Sequence, residues 1–171
     1  SKLAVDFANE NPDILWATVG QHPVDGTSKV LSDSEWAKFK DLARNDKVVA
    51  IGECGLDYFR LKPARNASGI ADAGGGSENE KQIEVERQKE LFIKHIELAI
   101  EVKKPLMVHA RPSKDSMDAY NDVLDILETY SLPPITSNLF INFHFFVGDI
   151  EIAKKIVAHN WTMSFDGPIT F

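Results

Sequence analysis

A chain of 171 residues, 43% hydrophobic and 26% charged, is long enough for one packed domain and ordinary in composition for a globular protein. Its formal net charge of -7 excludes a nucleic acid held by a broad basic surface, and leaves room for one gripped through metal ions and local arginines. No apolar run approaches the roughly 18 residues of a membrane span, no signal peptide is visible at Ser1-Lys2-Leu3-Ala4-Val5-Asp6, and the lone Cys54 suits a reducing, cytoplasmic setting.

Strand-like and helix-like segments alternate along the chain. Residues 14–20 predict a strand ended by Gly20-Gln21-His22-Pro23. A helix follows, opened by the capping-box spacing of Ser32 and Glu35, with Trp36, Phe39, Leu42 and Ala43 on one face. Residues 48–53 predict the next strand. Residues 61–86, with Lys62-Pro63-Ala64-Arg65-Asn66 and Ala73-Gly74-Gly75-Gly76-Ser77, predict a mobile loop insertion outside the core. A helix over 86–103 turns Leu91, Phe92, His95, Ile96, Ala99 and Val102 inward. Then come a strand over 106–109, a helix over 115–130 with Val123, Leu124 and Leu127 inward, and a break at Ser131-Leu132-Pro133-Pro134. A strand over 140–144, a helix over 149–158 capped by Asp149, and a strand over 161–165 complete the pattern.

This alternation predicts an α/β fold with a parallel sheet, and the continuous apolar strands predict burial on both faces. Right-handed crossovers then bring the C-terminal strand ends to one rim, where such folds place their sites. The polar residues on that rim are His22, Glu53, His109 and His144, with Asp166 just beyond the last strand.

A carboxylate ending an apolar strand, as Glu53 does, needs either a metal or a cationic side chain beside it. A lone histidine in such a place is commonly a satisfied core residue. Two of them, His109 and His144, on the same rim as Glu53 favour a metal site, because imidazoles and carboxylates suit divalent ions. Such an ion makes water available as a nucleophile near neutral pH. Arg111 offers a bidentate contact to a phosphate or carboxylate, or a salt bridge at the strand end. Asp57 either orients a ligand or caps the loop after Leu56, and His22 before Pro23 shapes a turn or lines the pocket. His95, His159 and Cys54 read as structural.

These residues resemble the TatD-type metal-dependent deoxyribonucleases, a branch of the amidohydrolase-like barrels. Gly20-Gln21-His22-Pro23 is similar to the family's Gly-x-His-Pro, and Gly52-Glu53-Cys54-Gly55-Leu56-Asp57 to its Gly-Glu-x-Gly-Leu-Asp. Glu86-Arg87-Gln88 with Phe92, Pro105 through Arg111, His144-Phe145-Phe146 and Ser164 through Phe171 resemble further family motifs in the same order. The resemblance implies a (β/α)8 TIM-type barrel, hydrolysis of phosphodiester bonds in DNA as an exonuclease, and two divalent metal ions, magnesium, manganese or zinc. It implies that Glu53 is shared between the metals and that His109 and His144 each ligate one. The rim positions make Glu53 and Arg111 the candidate catalytic residues and His22, Asp57 and Arg111 the candidate substrate contacts.

The family's first strand carries His-x-His and its last an aspartate, and neither motif lies in this chain. Barrels of this type run to roughly 250 residues. The expectation is therefore one partial domain over 1–171, truncated at both ends, with about five of eight strands. Two other functions compete: a deacylase or amidohydrolase on the same barrel, and a truncated, non-catalytic binding protein.

Overall fold

The computed structural model describes residues 1–24, 31–61, 78–130 and 139–167. Its elements are, in order, α1 (Lys2–Glu10), β1 (Ala17–Val19), α2 (Asp33–Ala43), β2 (Val48–Asp57), α3 (Glu78–Val102), β3 (Leu106–Arg111), α4 (Asp118–Tyr130), β4 (Ile141–Phe143), α5 (Ile150–Ala158) and β5 (Thr162–Met163). The five strands form one sheet in the order β1-β2-β3-β4-β5, every neighbouring pair parallel. This is a partial β/α barrel. Among the described residues, β1 and β5 each pair on one side only.

Local signals account for the helix starts. The Ser32 side chain accepts the Glu35 N–H while the Glu35 carboxylate accepts the Ser32 N–H, the capping box its spacing predicts. Asp149 accepts the Ile152 N–H and starts α5. In α3, Leu91, Phe92, His95, Ile96 and Ala99 are buried as their helical spacing requires. Val123, Leu124 and Leu127 do the same for α4, each contributing on the order of 2 kcal/mol by burial.

Three expectations need correction. The segment 61–86 is not all loop: α3 already begins at Glu78. Residues 78–90 are rich in Glu, Lys, Gln and Arg, all strong helix formers, and Glu78 and Glu80 in the first turn complement the helix dipole. The remaining 62–77 lie outside the described residues, as do the expected break at 131–134 and the end of the last motif at 168–171. The N-terminal segment, in which no element was expected, forms α1 and buries Val5 and Ala8 one turn apart. Finally, β2 runs on to Asp57, four residues past the expected end, because Cys54 through Asp57 pair with Val108 through Arg111.

The β2–β3 register contains the local feature that matters most for the site. Ile51 pairs with Leu106, but Cys54 pairs with Val108, so β2 carries one residue more than β3 over this stretch. Gly52 and Glu53 occupy that bulge. A bulge bends the strand and re-aims a side chain, and here it serves Glu53. Gly52 and Gly55 have φ of +149° and +139°, and a Cβ on either would overlap a β3 carbonyl oxygen, that of Met107 or of His109. Only glycine lets β2 lie this close to β3.

Candidate metal centre

His22, just past β1, comes together with Glu53 from the β2 bulge and His109 from within β3, one ligand atom from each lying within 4.8 Å of the others. The His22 and His109 rings meet edge to face, centroids 4.4 Å apart. His109 is held on both sides. Its Nδ1 lies 3.0 Å from Glu53 Oε1 and its Nε2 lies 3.2 Å from Asp57 Oδ2. Two carboxylates on one imidazole outweigh its burial and hold its pKa above the ordinary 6.5. The hydrogen bond from His109 in turn lowers the Glu53 pKa against the opposing effect of burial, aided by the charges of His109, His22 and His144. Burial works against the Asp57 carboxylate, yet the His109 hydrogen bond and the Arg60 contacts hold its pKa below the ordinary value. Both carboxylates are therefore ionised at neutral pH.

Asp57 makes contacts that suit both of the alternatives considered for it. One oxygen accepts the Arg60 N–H at 3.2 Å and caps the turn, while the other holds His109. The carboxyl group is fully buried, and its own N–H donates to Gln88 Oε1 at 2.8 Å from α3. A carboxylate behind a histidine fixes which ring nitrogen faces outward. Here it leaves Nδ1 on the side of Glu53.

His22 departs from the role of a turn residue alone. Its Nδ1 accepts the Val24 N–H at 3.3 Å, which is the turn contact, yet its ring also joins the cluster. His144 departs in the other direction, standing outside the group of three. A chain of polar side chains beneath it sets its ring. Ser164 Oγ donates to Asn142 Oδ1 at 3.2 Å, so it accepts from His144 Nδ1–H, also at 3.2 Å. The His144 lone pair then lies on Nε2, which faces Asp166 Oδ2 at 3.7 Å. His144 follows Phe143, the partner of Val108, and so sits level with His109 on the next strand. The charge of its protonated form is close enough to lower the Glu53 pKa.

Arg111 stacks on Phe59, its guanidinium carbon 4.1 Å from the ring centroid. The salt bridge considered for it is not formed: no carboxylate among the described residues lies within ion-pair distance of it. His95 is buried and structural, as expected. Its Nδ1–H donates to Leu91 O at 2.8 Å and its Nε2 accepts the Gln21 N–H at 3.0 Å. Cys54 is buried, and burial pushes its thiol pKa far up, so it is no nucleophile. His159 pairs with Glu128 and stacks on Trp161, away from the rim.

Two imidazoles and an ionised carboxylate with a buried second carboxylate behind them are a fitting donor set for a divalent transition metal. Beside them, His144 Nε2 and Asp166 offer one nitrogen and one oxygen at a spacing that a single cation could bridge.

Comparison with known proteins agrees with this reading. The chain is 33% identical over 162 residues to an uncharacterised metal-dependent hydrolase, YabD, of Bacillus subtilis, covering 95% of this chain and 51% of that protein. It is 30% identical over 172 residues to a 3'-5' ssDNA/RNA exonuclease, TatD, of Erwinia billingiae, covering 98% of this chain and 52% of that protein. The crystal structure of YJJV, a TatD homologue from Escherichia coli K12, superposes with a TM-score of 0.67 at 25% identity, over 98% of this chain and 52% of that one. The chain thus spans about half the length of the relatives it matches. The family model described as TatD related DNase matches residues 1–171, and the chain belongs to that family.

Proposed function

We propose that the protein is a metal-dependent phosphodiesterase that releases nucleotides from the ends of DNA. The observation that carries this reading is the convergence of His22, Glu53 and His109 from three adjacent strands and the turn after the first. Glu53 and His109 would hold one cation, with His22 completing the set. His144, beside Asp166, serves a second position next to it. Bound there, a divalent cation withdraws charge from a phosphoryl oxygen and acidifies water.

The remaining work falls to the chain's own side chains. Glu53 stays ionised because His109 lowers its pKa, so it is ready to hold a cation at neutral pH. Asp57 keeps a proton on His109 Nε2 and thereby turns Nδ1 toward Glu53. Arg111, with no carboxylate among the described residues to neutralise it, is available to grip the non-bridging oxygens of a phosphate. We place this activity in the cytoplasm, which the one cysteine, a buried free thiol, supports. No helix among the described residues is long and apolar enough to cross a membrane.

End-labelled single-stranded oligodeoxynucleotides, incubated with the full-length protein and magnesium, manganese or zinc, test the reading. The expected result is stepwise shortening that a chelator abolishes. Intact oligonucleotides together with hydrolysis of acylated amino acids would move the protein to amide chemistry instead.

A further inference from the structure

Beyond the metal centre, a cavity of about 560 Å³ opens beside Arg111, with Phe59, Pro112, Met117 and Val147 in its wall. Phe59 is 53% exposed although it is a large apolar side chain two residues past β2. The Arg111 guanidinium lies over its ring and makes no ion pair among the described residues. Such a stack holds a flat aromatic and a flat cation together at the mouth of a pocket large enough for a drug-sized ligand.

The position of this pair relative to the metal centre is set by the strand. Arg111 is two residues beyond His109 on β3, so both side chains leave the same face of the sheet. Two residues of strand carry Arg111 about 6.5 Å further toward the rim. Phe59 is likewise two residues beyond Asp57, whose carboxylate holds His109. The stack is therefore carried by the same face of β3 as His109, about two residues of strand further along. With a net charge of -7, the protein cannot hold a polyanion by its overall field, so a strand must be held by point contacts.

We propose that Phe59 and Arg111 form a nucleobase subsite: the base of the nucleotide next to the reacting phosphate stacks on this pair, while Arg111 also reaches that nucleotide's phosphate. The proposal rests on the phosphodiesterase reading and adds the class of group that is recognised. An unpaired base is required, since a base within a duplex does not present its face, so the subsite selects single-stranded substrate. Stacking tolerates any base, so the preference is for the presence of a base rather than for its identity.

The test uses the full-length protein and two short phosphorothioate-linked oligonucleotides that resist hydrolysis, one with a normal terminal nucleotide and one abasic there. Their affinities are read by fluorescence anisotropy. The wild-type protein is expected to prefer the normal oligonucleotide by roughly 10-fold. Phe59→Ala should bring that ratio to about 1–2, and Phe59→Trp should keep it. Arg111→Ala should weaken both oligonucleotides, since the phosphate contact is present in each. An unchanged ratio in Phe59→Ala, or equal wild-type affinity for both oligonucleotides, would overturn the subsite. Hydrolysis of the ordinary phosphodiester counterparts is followed in parallel. Its absence would sink the phosphodiesterase reading, while the binding ratio would still report on Phe59.

Discussion

The Nε2 of His95 accepts the backbone N–H of Gln21 at 3.0 Å, joining the buried face of α3 to the residue next to His22. The ring can do this only when neutral, with its proton on Nδ1 facing Leu91 O. Burial lowers its pKa from 6.5 to about 4. Between these two values the unfolded chain binds more protons than the folded one, so stability falls as the pH is lowered from 6.5 to about 4. The contribution at stake is about 3 kcal/mol. Urea unfolding at a series of pH values should show this slope in the wild type. His95→Phe should be less stable at pH 7, because the Gln21 N–H loses its acceptor at a cost of about 1–3 kcal/mol. It should also lack that part of the slope. Equal slopes in both proteins would show that the ring is not held neutral.

Asp57→Asn separates the two roles of that side chain. Asparagine can still accept the Arg60 N–H, so the turn is kept, but the charge behind His109 is gone. The His109 pKa, followed by NMR in the metal-free protein, should move down toward 6.5, since the Asp57 carboxylate is one of the groups that raise it. Metal affinity should fall about 10–100-fold with the fold intact. Unchanged metal affinity in Asp57→Asn would mean that Asp57 serves the turn alone.

Because the His109 pKa lies above 6.5 without metal, a proton and a cation compete for the same ring. Metal affinity should therefore rise with pH up to and somewhat beyond 6.5, levelling once the ring is neutral in the metal-free protein. Calorimetric titrations at pH 5.5, 6.5, 7.5 and 8.5 test this. A flat profile across that range would exclude His109 as a ligand.

Gly55→Ala tests the close approach of β2 to β3. The residue has φ of +139°, and the added methyl would overlap the His109 carbonyl oxygen. The expected cost is at least about 2 kcal/mol in chemical denaturation, with metal affinity reduced because the strand carrying His109 has to shift. A variant as stable as the wild type would show that the two strands can separate freely.

Much of this was legible in the sequence, for reasons that are local. The Ser32–Glu35 box and the Asp149 cap involve residues three apart and recur in the structure as expected. The sequence placed Glu53, His109 and His144 at strand ends, but β2 and β3 run on to Asp57 and Arg111, so Glu53 and His109 lie within their strands and His144 alone directly follows its own. What the sequence did not reveal depends on direction rather than position. The extra residue at Gly52 and Glu53 is a property of the pairing with β3, visible only in the register. His22 was legible as a rim residue that shapes a turn or lines the pocket, whereas its approach to within 4.8 Å of Glu53 and His109 is visible only in the structure. His144 turns toward Ser164 because Asn142 holds that hydroxyl, a contact 22 residues apart in sequence. The helix α1 is as amphipathic as α5 but short, and no side-chain cap marks its start, so the sequence carries no start signal for it.

The central claim is that His22, Glu53 and His109 hold a divalent cation. Calorimetric titration of manganese or zinc into the wild-type protein and Glu53→Gln at pH 7.5, with folding checked by circular dichroism, tests it most directly. Saturable binding by the wild type is expected, with an affinity lower by about 100-fold or more in the folded variant. A folded Glu53→Gln protein that binds the ion as tightly as the wild type would contradict it.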